Sequence, residues 1–288
     1  LTRDTLGDQL LHSPLQAFGG KGAFVSEFEQ ALLEGSIDLA VHSAKDMPVS
    51  LPEGLVISAL SEREDPGDVL ILPKTASKTD KKELVIGTSS PRRQLQIREQ
   101  WQSICGSTKW LDKESRPVCV TLRGNVQTRL KKLKEGACDG ILLAAAGLKR
   151  LGIEEGEEWR FIRLSPEQFL PAGGQGILAV ETKADTEAHR LCSQIDCRSS
   201  RLCLTAERSV LETLQAGCHA PVAVYANLFE EDGETKLRLR GINGPEHASQ
   251  LTDAELKNKI RRVDLCGTLS EISVTTLADQ AGKGLLWP

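Results

Sequence analysis

Between Leu84 and Arg150 the chain makes the same move three times. A short apolar run leads into a loop, and the loop opens a helical segment that carries arginine. Leu84–Gly87 enters Thr88-Ser89-Ser90-Pro91-Arg92-Arg93. Val118–Leu122 enters Arg123-Gly124-Asn125, and a helix over Val126–Leu133 bears Arg129. Gly140–Leu143 enters Ala144-Ala145-Ala146-Gly147-Leu148-Lys149-Arg150. Runs of this length read as strands, and strand–loop–helix repeats build an α/β layer with ligands bound at the carboxyl ends of the strands. The hydroxyls before Pro91 suit a helix cap, and proline suits the first turn because no amide hydrogen is needed there. Arginines in that turn oppose the helix dipole, so a negative group is expected among them. One such junction is equally well a pair of solvated arginines. Three together point to a crevice for carboxylates or phosphates, which guanidinium groups bind in bidentate fashion.

A second feature lies upstream. Ile37, Leu39 and Val41 alternate with Asp38 and Ala40 as in a short strand, and His42-Ser43-Ala44-Lys45-Asp46-Met47-Pro48 follows. A strand ending in Ser43, Lys45 and Asp46 sets polar groups at a sheet rim, where open α/β sheets bind ligands. Lys45 is either an anion holder or an internal partner of Asp46. Before the strand, Gly19-Gly20-Lys21-Gly22 precedes a helix predicted over Ala23–Glu34. It is either an anion cradle containing Lys21 or an ordinary helix start. Leu51–Leu60 and Val69–Leu72 read as further strands around a charged turn, Ser61–Asp68. Gln100–Pro117, with Trp101 and Trp110, reads as an irregular surface excursion. Leu170–Val180 is a glycine-rich approach to a strand in which Gln175 is a candidate hydrogen-bond donor.

The rest of the 288-residue chain narrows the function. A formal net charge of −4 and 4% aromatic residues argue against a nucleic-acid surface. No apolar run reaches the roughly 20 residues that span a bilayer. The eight cysteines form no CxxC pair and have no histidine at a ligand spacing, so neither zinc nor another metal is expected. Cys119 and Cys138 sit in apolar runs and read as core. From about Thr182 the pattern changes to helices over Ala184–Cys192 and Ser199–Gln215, the latter ending at Gly217. Strands over Val222–Leu228 and Lys236–Gly241 follow, and a closing helix covers Ser270–Ala281. Cys218 lies in a loop between Gly217 and His219, outside any apolar run. It is either incidental or an attachment point.

Seven motifs in order carry a resemblance. They are Gly19–Gly22, His42–Pro48, Gly87–Arg93, Leu122–Asn125 with Thr128-Arg129, Ala146–Arg150, Gly174–Gly176 and Ala216–Pro221. Together they resemble the hydroxymethylbilane synthase (porphobilinogen deaminase) family of tetrapyrrole biosynthesis. The resemblance implies an α/β fold with two type II periplasmic-binding-protein-like domains around a cleft, and a small α+β C-terminal domain. The expected division is 1–52 with 160–181, then 53–159, then 182–288. It also implies a cytoplasmic, monomeric transferase that condenses porphobilinogen head to tail, releasing ammonia, on a dipyrromethane held by Cys218.

In that reading Asp46 is the catalytic carboxylate. Ser43, Lys45, Thr88, Ser89, Ser90, Arg92, Arg93, Arg123, Gly124 and Arg129 hold the cofactor, and Lys21, Arg150 and Gln175 hold substrate. The family's opening strand with Thr-Arg-x-Ser-x-Leu-Ala has no counterpart here, so the first domain is expected to be incomplete. A non-catalytic two-domain anion-binding protein is the alternative, and it has no need of Cys218. A DNA-binding regulator on the same scaffold would need a basic helix-turn-helix, and no segment reads as one.

Overall fold

The computed structural model describes residues 26–74, 81–217, 220–245, 247–269 and 274–287. Lys21, Cys218 and His219 lie outside the described residues. Three sheets organise the described chain.

The first sheet has the order β1-β8-β2 and is antiparallel throughout, from β1 (Ala40–Ser43), β2 (Leu55–Leu60) and β8 (Leu178–Lys183). Helix α1 (Ser26–Glu34) lays Leu32 and Phe28 against it beside Ala40 and Leu55. The strand around residue 40 sits later than the alternation predicts, and its apolar residues point the other way. Leu39 and Val41 are 44% and 58% exposed, whereas Ala40 is buried. The reason is the pairing with β8. It puts Ala40 opposite Glu181 and His42 opposite Ala179, so the inner face belongs to the even-numbered residues.

The second sheet has the order β5-β4-β6-β3-β7. Its strands are β3 (Asp68–Pro73), β4 (Glu83–Gly87), β5 (Arg116–Val120), β6 (Gly140–Ala144) and β7 (Trp159–Leu164). β4 runs parallel to β5 and β6, as the three repeats require, and β3 runs antiparallel to β6 and β7. Helices α2 (Pro91–Gly106), α3 (Val126–Lys134) and α4 (Ala145–Arg150) follow β4, β5 and β6. Period-two alternation divides the strands between two cores. Leu70, Leu72, Leu84, Ile86 and Leu142 meet Ile97 and Trp101 of α2 on one side. Val69, Ile71, Ile141 and Leu143 meet Leu130 and Leu133 of α3 on the other.

The expected surface excursion at Gln100–Pro117 begins instead as helix and contributes Trp101, Ile104, Cys105 and Leu111 to the core. Helix α2 runs to Gly106, Trp101 is 2% exposed, and its indole N–H donates to the Ser115 carbonyl at 2.8 Å. A tryptophan inside a charged helical stretch gives no periodic signal strong enough to reveal this. Trp110 is half-buried beneath the Arg160 guanidinium, 3.4 Å from the ring centroid.

Two crossings join these sheets, residues 61–67 and 165–177. The strand pairing places 55–60 with the first sheet and 159–164 with the second. The expected boundaries at 53 and 160 therefore shift into the crossings. Where the crossings touch, backbone lies on backbone. The Glu64 amide donates to the Gly176 carbonyl at 3.1 Å, and a Cβ on Gly176 (φ +91°) would lie 2.3 Å from the Glu64 carbonyl oxygen.

The third sheet is a meander, β9 (Val222–Glu231), β10 (Glu234–Asn243) and β11 (Arg261–Thr268), turning at Asp232-Gly233 with positive φ at both. Helices α6 (Arg198–Thr213) and α8 (Val274–Leu285) cover one face through Cys203, Ala206, Val210, Leu277, Ala278 and Ala281. The short helix α5 (Glu187–Cys192) precedes α6. Helix α7 (Asp253–Lys259) begins with a Thr252–Glu255 capping box, and neither it nor β11 is anticipated by the sequence reading. Helix α6 stops earlier than expected. Leu214 is its cap, and Gln215 rather than Gly217 takes the left-handed turn, at φ +49°.

Gly176→Ala is expected to destabilise the protein by about 2 kcal/mol or more, since strain at positive φ adds to a backbone clash. Urea unfolding with unchanged midpoint would refute the close approach of the two crossings.

Candidate active site

The stretch His42–Pro48 leaves β1 as a single 3₁₀ turn, Ala44–Asp46. The Ala44 amide donates to the Ile177 carbonyl at 3.0 Å, which ties the turn to the second crossing. Ala44 and Met47 are buried beside Leu60, Ile177 and Leu204, while the Asp46 side chain is exposed. A turn with two buried apolar anchors thus presents one carboxylate outward. Just before the turn, His42 Nε2 lies 3.0 Å from the Glu181 carboxylate, which is fully buried. The neighbouring Glu29 carboxyl is pushed up, first by burial and then by Glu181.

The three arginine-bearing junctions are built as the repeats predict. Ser90 caps α2 and accepts from the Arg93 amide. The Thr88 hydroxyl accepts from the Ser90 amide, and the Ser89 hydroxyl donates to the Leu122 carbonyl at 2.8 Å. Asn125 caps α3 and accepts from the Thr128 amide at 2.9 Å. Gly124 (φ +117°) has no room for a side chain, because a Cβ would lie 2.7 Å from Thr128 Cγ2. Its carbonyl accepts from Arg129 Nε at 2.6 Å. Arg123 is half-buried at the same loop.

The negative group expected among the first-turn arginines is Asp68, the first residue of β3. It is fully buried and binds Arg92 through Oδ2 at 2.8 Å and Arg93 through Oδ1 at 2.7 Å. Arg92 also donates to the Leu170 carbonyl at 2.7 Å, and Arg93 to the Leu142 carbonyl at 3.0 Å. Gln175 is buried as well. Its amide donates to Asp68 Oδ1 at 3.0 Å and to the Pro66 carbonyl at 2.7 Å. Arg150 donates to the Gly176 carbonyl at 2.7 Å. Gln175 and Arg150 therefore tie the second crossing to the second sheet. The Ser61–Asp68 segment, which reads as a charged turn, contributes buried Asp68 and Arg63 to the framework. Its isolated charges gave no hint of their partners, which are distant in sequence.

Electrostatics link the turn to the junctions. Burial alone would raise the Asp68 carboxyl, but Arg92 and Arg93 hold it well below the usual carboxylate range. Burial pushes the Lys45 ammonium down, Asp46 and Asp68 push it up, and Arg93 and Arg92 again lower it. Burial, with Arg93 beside it, pushes Arg129 down to about 10, while Asp46 works the other way. Lys45, Asp46, Arg92, Arg93, Arg129 and Asp68 thus sense one another. With Lys45 protonated, four cations face two carboxylates.

A family model described as the porphobilinogen deaminase dipyrromethane cofactor binding domain matches residues 1–190, and the C-terminal domain model of the same enzyme matches residues 201–271. The chain belongs to the porphobilinogen deaminase family. Porphobilinogen deaminase from Chromobacterium violaceum is 42% identical over 228 residues, covering 78% of this chain and 69% of that protein. The enzyme of the same name from Laribacter hongkongensis is 40% identical over 265 residues, covering 91% and 80%. Among solved structures, the periplasmic aliphatic sulphonate binding protein SsuA from Escherichia coli matches at 16% identity and a TM-score of 0.34, covering 68% of this chain and 58% of that one.

The residues present fit the cofactor that the family domain is named for. A dipyrromethane carries acetate and propionate groups, and the site holds a surplus of partly buried positive charge. Arg129 is held down by burial and a neighbouring cation, so a bound carboxylate would relieve it.

Asp68 also sets an acid limit. A carboxyl held below its unfolded value of about 3.9 contributes stability that is complete above about pH 5 and is lost as pH falls through the folded value. The protein is therefore expected to lose stability steeply below about pH 4. Asp68→Asn is expected to cost about 3–5 kcal/mol at neutral pH, because it leaves two buried guanidiniums short of an anion. It should also flatten the acid limb. Unfolding midpoints measured from pH 2 to 7 for both proteins check this, and parallel curves would rule it out.

Proposed function

We infer that the exposed Asp46 turn and the cationic junctions facing it are the catalytic and binding parts of a hydroxymethylbilane synthase. The enzyme is a tetrapyrrole-building transferase. It joins porphobilinogen units head to tail, with loss of ammonia, on a dipyrromethane. A non-catalytic anion-binding role is not favoured by the family match. The dipyrromethane, when bound, supplies the pyrrole carbon to which the first new unit is joined.

The observation that carries this reading is the contrast between two carboxylates. Asp68 is buried and saturated by Arg92, Arg93 and Gln175, so it can only hold structure. Asp46 is exposed and acts on Lys45 and Arg129, which in turn feel Arg93. Two acids in such different surroundings take different roles. As ammonia leaves a porphobilinogen, positive charge develops on the pyrrole. A fixed carboxylate stabilises that charge and can accept the pyrrole proton. In this reading Lys45, Arg123 and Arg129, with Ser43 and the Thr88–Ser90 loop, hold cofactor carboxylates. Arg92 and Arg93 can serve only through whatever donors Asp68 and the Leu170 and Leu142 carbonyls leave. Gln175 and Arg150 support the site by holding the crossing. Cys218 is the attachment point, since it follows α6 in sequence, between Gly217 and His219 and outside any apolar run. The enzyme acts in the cytoplasm as a monomer.

Asp46→Asn should keep its cofactor mass and lose turnover by about 10²-fold or more. Wild-type turnover in this variant would remove Asp46 from the chemistry. Cys218→Ser should show the intact mass of the bare chain, and a dipyrromethane still present on that variant would place the attachment elsewhere.

A further inference from the structure

Helix α6 carries a stripe, Leu204, Glu207, Arg208 and Leu211, that runs along the border of the third sheet and reaches beyond it. These positions fall at i, i+3, i+4 and i+7, so they share one face. Each member reaches the Asp46 turn or the loop behind it. Leu204 is buried with Ala44 and Met47, which anchor the turn. Glu207 is fully buried and accepts from the Gly174 amide at 2.7 Å, from the Ala226 amide at 2.8 Å, and from both terminal nitrogens of Arg63 at 2.8 Å. Gly174 (φ +78°) lies directly against the turn, where a Cβ would be 2.9 Å from the Lys45 amide nitrogen. Leu211 closes over Gly173 in the same loop.

Arg208 reaches the segment just past the acid. One terminal nitrogen donates to the Pro48 carbonyl at 2.7 Å and also to the Val49 carbonyl. These carbonyls begin the irregular segment that leads from the turn to β2. Across the turn, the Met47 amide donates to the Ala44 carbonyl at a long 3.4 Å. Upstream it is held by β1. Downstream, Pro48 offers no amide hydrogen, and the carbonyl bonds to Arg208 take the place of a ladder. The Glu181 carboxylate of β8 and Glu212 of α6 itself face Arg208, and both favour its charged form against burial.

We propose that Arg208 is a positioning residue for the reaction: it fixes the downstream arm of the Ala44–Asp46 turn and so sets where the Asp46 carboxylate stands. This rests on the reading of Asp46 as the catalytic carboxylate. A displacement of about 1 Å in a reacting group can cost about 10²-fold in rate without removing any group that binds substrate.

The test uses the full chain, loaded with dipyrromethane as judged by intact mass. Arg208→Met is expected to lower kcat by about 10- to 100-fold with KM changed by less than about threefold. Arg208→Lys, which keeps one charged donor, should recover part of that loss, and added guanidinium should partly rescue Arg208→Met. Combined with Asp46→Glu, whose carboxylate is already displaced, Arg208→Met should cost clearly less than it does alone. A merely structural residue would give additive losses and no rescue. Wild-type kcat in Arg208→Met, or strictly additive losses, overturns the proposal. If Arg208→Met does not fold, Arg208→Gln decides: reduced kcat at unchanged KM supports the role and wild-type kcat overturns it. Asp46→Asn with wild-type turnover would fail the underlying reading instead. An inactive Asp46→Asn beside a fully active Arg208→Met fails only this proposal.

Discussion

The buried carboxylate of Asp68 is the interaction on which the site depends. One residue at the start of β3 joins the first turn of α2, through Arg92 and Arg93, to the second crossing, through Gln175. The two arginines extend the tie to the Leu170 and Leu142 carbonyls. Burying three charges together is costly, and such a cluster is weak evidence for stability as such. Its effect is geometric. It permits two cations at a helix start, where the dipole opposes them, and leaves positive potential at the rim of the sheet. Lys45 and Arg129 both feel that potential.

A comparable arrangement recurs at the other side of the crossings. Glu207 receives four donors and leaves neither oxygen unpaired. It draws Arg63 of the first crossing and Gly174 of the second onto the same helix. Each crossing is therefore pinned twice, once to the second sheet around Asp68 and once to the third unit around Glu207. The third unit also holds the second sheet directly. Arg98 of α2 donates to the Ala248 and Leu251 carbonyls, both at 2.7 Å, and pairs with Asp253.

Much of this was legible in the sequence. The three strand–loop–helix junctions, the hydroxyl cap before Pro91, and the placing of Asp46 at a sheet rim all follow from local pattern. So does the need for an anion beside Arg92 and Arg93. The identity of that anion does not follow, because Asp68 is 24 residues away and sits in a segment that reads as a charged turn. The same limit hid Glu207, which stands on a helix whose visible periodicity concerns only its other face. Gln175 and Arg150 show the converse. Their residue types suit a ligand, and the pattern gave no sign that Gln175 also donates to the Pro66 carbonyl and one Arg150 nitrogen to the Gly176 carbonyl. The facing of β1 was misjudged because alternation gives a period and not a phase. Pairing with β8 fixed the phase, and His42 turned inward to meet Glu181.

These facts together explain why an exposed acid can be held still. Asp46 makes no buried anchor of its own, and its turn is three residues long. Order is imposed from behind instead. β1 fixes the entry, Ile177 takes the Ala44 amide, Gly174 lies against the Lys45 backbone, and Arg208 takes the exit carbonyls. The groups that do so come from the second crossing and from α6, elements that also pin the crossings. Any motion that changes the angle between the two α/β units must strain these ties before it moves the carboxylate. The acid therefore stays registered to α6, the helix that precedes Cys218 in sequence.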